Sequence, residues 1–165
     1  MPGAPDAPES DGSAPLVQSA SVEAMYQDLI LEHYRRPRNK GALPGATASA
    51  HISNPTCGDE VTVEAIVDGG VIRDIRFTGQ GCSIAQASAS IMTGMAKGAS
   101  VGAVRRTRAA LERLLRREPV TRDALGDLLA FEAVARYPAR IGCALMPWRA
   151  LEQALGDRAA PGDTP

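Results

Sequence analysis

The sequence predicts an α+β domain, a small antiparallel three-stranded sheet packed with about five helices. Three observations predict it. Val61, Val63, Ala65 and Val67 alternate as in a strand, and Asp68-Gly69-Gly70 is a turn signal before Val71, Ile75 and Phe77 resume the pattern. Apolar residues then recur at helical spacing through the second half of the chain. No long apolar run or repeat competes with that reading, and helices flanking a short hairpin-built sheet define the class.

The first helix is expected over 22–34. Val22, Met25, Tyr26, Leu29, Ile30 and His33 form an apolar stripe at spacings of three and four. Ser21 is its expected cap and Pro37 its stop. Residues 46–52 offer a third strand, while Ile66 and Ile72 disturb the alternation of the hairpin, so both faces are expected to be partly covered. An Ala- and Ser-rich helix over 83–97, stopped by Gly98, is expected to pack closely on the sheet. The next helix, 100–117, would bury Val101, Val104, Leu111, Leu114 and Leu115, with Pro119 closing it. Residues 122–136 are weakly helical. A final helix opening near Cys143 would turn Leu145, Trp148, Leu151 and Leu155 inward, with Pro147 in its first turn, where a missing N–H costs little.

The chain of 165 residues suits one domain with tails. Residues 1–20, rich in Pro, Gly, Ser, Ala and Asp, read as a disordered tail. Residues 21–155 form the domain, and 156–165 a second loose tail. Formal charge is -1, which gives no general attraction to nucleic acid or a membrane surface. The Arg105 to Arg117 run is broken by Glu112 and reads as a solvated face. The start lacks a signal peptide and no stretch could span a bilayer, so a cytoplasmic protein is expected. There thiols stay reduced, and three cysteines, an odd number, argue against a disulfide framework.

Each cysteine falls at a junction. Cys57 precedes Gly58-Asp59 and a strand; Cys82 follows Gly79-Gln80-Gly81 and opens a helix; Cys143 is expected to open the last helix. Helix N-termini favour thiolates, the form that binds metal or attacks sulfur. Alternate residues of an extended segment share a face, so Cys57 and Asp59 could reach one ion, with Gly58 giving the backbone room. Three thiolates and a carboxylate suffice for tetrahedral zinc. A bland reading stands beside this one, since free cysteines are often small buried hydrophobes. His51 stays open as a ligand, whereas His33 lies on the apolar stripe and reads as packed. Gly79-Gln80-Gly81 lacks the pattern of a nucleotide loop and reads as a tight turn.

Several motifs are specific. Residues 26–41, from Tyr26 to Gly41, together with Asn54-Pro55-Thr56-Cys57-Gly58-Asp59 and Gly79-Gln80-Gly81-Cys82-Ser83-Ile84, resemble the SufU/IscU family of iron–sulfur cluster assembly proteins over roughly residues 22–155. The IscU type carries a metal-binding His where this chain has Gly142. The long stretch between Cys82 and Cys143, with Leu125-Gly126-Asp127 and Tyr137-Pro138-Ala139-Arg140-Ile141, is similar to the SufU branch. The resemblance implies a Zn2+ site of Cys57, Asp59, Cys82 and Cys143, with Cys57 taking persulfide sulfur from a SufS-type, PLP-dependent cysteine desulfurase. It implies that Arg140 helps engage that enzyme and that the sulfur moves on to a downstream assembly scaffold. The protein would be a partner in sulfur transfer rather than a stand-alone enzyme. A scaffold carrying a [2Fe–2S] cluster on the same ligands, or a structural zinc module, are the alternatives. Gly142 replaces a basic residue common in SufU proteins, and this departure bears on partner docking.

Overall fold

Three antiparallel strands in the order β1-β2-β3 make the floor of the molecule: β1 (Ala48–Asn54), β2 (Asp59–Asp68) and β3 (Val71–Gln80). The computed structural model describes residues 13–158, with side chains from residue 22 onward. The expected third strand is β1, pairing from Ala48↔Ala65 to Asn54↔Asp59. The sheet and helices together give the α+β class that the sequence predicts.

β2 alternates cleanly, with Asp59, Val61, Val63 and Ala65 buried. β3 differs from the expectation. Ile72 is fully buried and Val71 only half-buried, because Ile66 pairs with Asp74 but Val67 pairs with Ile72. Arg73 is thus the extra residue of a bulge, which resets the inward phase of the strand. Gly79 marks the other end of β3. Its φ is +140°, and a Cβ there would lie 2.2 Å from the Glu60 carbonyl oxygen, so only glycine fits.

The first helix, α1 (Ser13–Arg35), is longer than the stripe suggests. Ser21 therefore lies within it rather than capping it, and residues 13–20 are helical where a tail is expected. The remaining part of that expectation, 1–12, lies outside the described residues. The stripe is buried only toward its C-terminal half: Ile30 and His33 are covered, while Val22 and Met25 are exposed. Val22 and Tyr26 instead line an open cleft of about 1220 Å3 between α1 and residues 117–137.

α2 (Ser83–Ala96) runs between α1 and α4 more than against the sheet. Its small residues let its neighbours approach closely, and its buried hydroxyls hold them. Ser90 Oγ lies 2.7 Å from His33 Nδ1 and accepts from the Arg38 N–H at 2.8 Å. Thr93 Oγ1 donates to the Ser90 carbonyl and lies 3.2 Å from the Arg38 carbonyl oxygen. His33 is thus a packed residue, with burial and then nearby Arg38 lowering its pKa.

Ser100 caps α3 (Val101–Leu115), accepting from the Ala103 N–H, and the five residues expected inward are buried. The weakly helical stretch forms 3₁₀ helices, Arg122–Ala124 and Gly126–Arg136. The last helix, α4 (Pro138–Leu155), starts earlier than expected. Pro138, not Pro147, takes the first-turn position where proline is tolerated. Pro147 stands inside the helix, and Cys143 lies in its second turn. Leu145, Trp148, Leu151 and Leu155 are buried as expected, covering β1 and β2. Burying such side chains contributes about 1.5–3 kcal/mol each. The expected loose C-terminal tail is anchored where it is described: Arg158 donates to the Thr47 carbonyl at 3.0 Å and its own carbonyl accepts from Arg105.

Candidate metal centre

Asp59 is the key to the site's position. It shares the inward phase of Val61, Val63 and Ala65, so the pleat places a carboxylate where an apolar residue would otherwise sit. It is 3 % exposed, and a buried carboxylate must be hydrogen-bonded or bound. The Cys82 backbone N–H donates to its Oδ1 at 3.0 Å, and the Cys82 thiol lies 3.5 Å from Oδ2. Burial pushes the Asp59 carboxyl up, but hydrogen bonds from the Cys82 amide and the cysteine thiols outweigh it and hold the group below its usual range.

Gly81 makes that approach possible. A Cβ on it would stand 2.7 Å from Asp59 Oδ1 and 2.8 Å from its carboxyl carbon. The Gly79-Gln80-Gly81 run is therefore more than a tight turn. Gly79 admits the β2 backbone and Gly81 admits the Asp59 carboxylate. The sequence signal for both was present: Asp59 is in phase with the buried side of β2, and two glycines precede a cysteine.

Cys57 reaches the same place from the loop between β1 and β2. Asn54 folds that loop: its Oδ1 accepts from the Thr56 N–H at 3.0 Å and its carbonyl accepts from the Gly58 N–H at 2.9 Å. Gly58 has φ +74°, so the segment is a turn and not the extended strand that the sequence argument assumed. Cys57 is exposed, Cys82 half-buried and Cys143 buried. Cys82 is the N-cap of α2, as expected, and leaves its side chain free of any capping bond. Cys143 is presented by the second turn of α4, so the helix-terminus argument does not apply to it.

The ligand atoms of Cys57, Asp59 and Cys143 lie within 4.8 Å of one another. Cys82 stands outside that mutual distance and joins through Asp59. Two thiolates on tetrahedral zinc lie about 3.8 Å apart, so drawing Cys57, Asp59 and Cys143 around one ion takes shifts on the order of 1 Å. Three soft thiols and one carboxylate match zinc's preferences. Burial, then hydrogen bonding to Asp59 and Cys82, pushes the Cys143 thiol up to about 12. Without a cation the pocket therefore keeps this proton, and metal binding has to displace it. His51 takes no part: its ring lies 2.8 Å from Thr62 Oγ1 on the exposed face of the sheet.

Arg140 is fully exposed one turn before Cys143. The charge of Cys82, then hydrogen bonding to Cys143 and Cys82, raises its pKa. At Gly142 nothing lies within 4 Å of where a Cβ would be, so space does not demand the missing side chain.

Residues 25–144 match the model of the NifU-like N-terminal domain. The chain is 37% identical over 138 residues to the zinc-dependent sulfurtransferase SufU of Bacillus subtilis, covering 83% of this chain and 93% of that protein. It is 34% identical to the iron–sulfur cluster assembly scaffold protein IscU of Thermotoga maritima, covering 79% and 92%. Among solved structures it resembles a candidate SUF-system assembly scaffold from Fervidobacterium islandicum. The TM-score is 0.72 and the identity 31%, over 78% of this chain and 94% of that one.

Proposed function

The chain belongs to the NifU-like N-terminal domain family, with SufU and IscU proteins among its relatives, and from that membership we propose a zinc-dependent sulfur acceptor for iron–sulfur cluster assembly. Cys57, Asp59, Cys82 and Cys143 would hold one Zn2+. The bound ion would keep its ligand thiols deprotonated and tie the domain together. The sulfur donor is a cysteine desulfurase, of the SufS type and PLP-dependent, and the receiver is a downstream assembly scaffold.

The observation that carries this reading is the contrast in burial. Cys57 is exposed on a hairpin loop, while Cys143 and Asp59 are buried behind it. Cys57 is the sulfur an incoming donor can meet. Its thiolate attacks the terminal sulfur of the donor's persulfide. A bond forms between Cys57 Sγ and that sulfur, the donor's S–S bond breaks, and the electron pair leaves on the donor's own thiolate. Arg140, exposed beside the site, offers a cation to the donor's anionic persulfide.

Mass spectrometry after incubation with desulfurase and cysteine tests this. One added sulfur on Cys57, lost in Cys57→Ser, is expected; a sulfur-free Cys57 in the wild-type protein would remove the acceptor role. The IscU relative favours a second reading, a [2Fe–2S] scaffold on the same ligands. Elemental analysis separates them: colourless protein with about one zinc, or brown protein with iron and sulfide.

A further inference from the structure

Ser88 lies in the second turn of α2 past Cys82 and is fully buried. An alanine would pack there as Ala85, Ala87 and Ala89 do, without the cost of burying a hydroxyl. A serine within a helix ordinarily bonds back to its own helix. This one donates across to the Ala144 carbonyl of α4, at 2.6 Å.

The receiving turn is a special one. Pro147 stands four residues after Cys143 and has no N–H, so the regular i+4 helical hydrogen bond to the Cys143 carbonyl cannot form. The proline ring also crowds that carbonyl. The helix therefore lacks one of its own bonds just after Cys143, at the point where Ser88 grips the next residue. Cys82 begins the helix that supplies the grip.

We propose that Ser88 is a positioning residue for the metal centre, setting the spacing of the Cys82 and Cys143 sulfurs through its bond across the turn that Pro147 opens. The proposal rests on the zinc reading above. Ser90 supplies a matched comparison: it is equally buried on the same helix, but its hydroxyl serves His33 and Arg38 on the α1 side.

The test is the zinc affinity of the full chain, by competition with a chromophoric chelator, together with the absorption spectrum of the cobalt-substituted protein. Ser88→Ala should weaken zinc about tenfold, as loss of a group supporting a ligand does, and shift the cobalt bands. Ser90→Ala should lower the melting temperature yet leave both unchanged. Pro147→Ala restores the missing helical amide; it too should weaken zinc and shift the bands. Wild-type affinity in Ser88→Ala, or equal weakening in Ser90→Ala, overturns the proposal. If Ser88→Ala does not fold, wild-type affinity in Pro147→Ala overturns it. Wild-type protein that takes up no zinc would instead end the zinc reading itself.

Discussion

Cys57 and Cys143 offer sulfur to one point from opposite kinds of structure. Cys57 rides on residues 55–58, a loop shaped by Asn54 and by the positive φ of Gly58, with its thiol exposed. Cys143 is 2 % exposed in α4, packed among the core. A ligand on an exposed loop can leave and return without disturbing the core, whereas a ligand on a packed helix moves only with its helix. Under the proposed function, exchange falls to the loop and retention to the helices. A site with four equally buried ligands could bind zinc as well but would present no sulfur to a donor.

The largest expected effect breaks this comparison from the helix side. If the site holds zinc as proposed, saturation at about a thousand times Kd would add about 4 kcal/mol to stability, equivalent to roughly 10 °C or more in melting temperature. Chelation should remove that amount from the wild-type protein. Cys143→Ser should show the low value already and gain nothing from added zinc. Cys57→Ser should lose sulfur uptake while keeping a melting temperature that still responds to zinc. Calorimetric melting of the three proteins, with and without chelator, decides the matter; equal behaviour of the two variants would erase the difference between loop and helix.

Next in size is the glycine that lets Asp59 in. Gly81→Ala places a Cβ 2.7 Å from Asp59 Oδ1, and overpacking of this kind costs about 1–3 kcal/mol. It should also weaken zinc, because the carboxylate is pushed from its place. Gly58→Ala meets open space and pays only for its φ of +74°, about 1 kcal/mol. Urea unfolding with zinc titration compares them. Zinc affinity unchanged in Gly81→Ala would show that the carboxylate does not need its present position.

The same two regions show how much of the molecule was legible in the sequence. The hairpin, α3 and the inward face of α4 followed from periodicity, because each has one buried side, and β1 was indicated only as a candidate strand over 46–52. The four candidate ligands were named from junctions and from family resemblance, and the fold brings three within mutual reach and the fourth beside Asp59. Two of them reach the site by routes that the local pattern does not indicate. Cys57 reaches the site by a turn, since Gly58 leaves the extended region. Cys143 is not at a helix start, because Pro138 claims that position and Pro147 is carried inside the helix. The bulge at Arg73 and the two close approaches at Gly79 and Gly81 depend on which strand lies alongside, and local pattern does not encode that.

A smaller effect sharpens the contrast through pH. In the metal-free protein the Cys143 thiol is pushed up to about 12 from its ordinary 9.0. The fold favours the protonated form, so this contribution is complete below pH 9 and is lost as pH rises from about 9 toward 12. Chelator-treated wild-type protein should therefore lose stability over that window more steeply than Cys143→Ser in urea unfolding. Zinc binding has the opposite dependence. It displaces the Cys143 proton, so affinity should rise about tenfold per pH unit for each proton released. A pH-independent affinity between about pH 6 and pH 8 would mean that no thiol proton is displaced.

The smallest expected change lies at Gly142, beside the retained ligand. Glycine within a helix costs about 1 kcal/mol relative to alanine, and no atom lies within 4 Å of a Cβ built there. Its φ is not among the positive values found in the chain, so alanine enters without strain. Gly142→Ala should therefore stabilise the protein by about 0.5–1 kcal/mol, read as a higher urea midpoint with unchanged slope. Because the residue precedes Cys143, a stiffer turn would also show whether the helix side needs any give during transfer. Sulfur uptake at the wild-type rate, with the stability gain, keeps exchange on the loop alone. A slower rate with the zinc affinity unchanged would mean that α4 moves as well, and the sharp division between the two sulfurs would be lost.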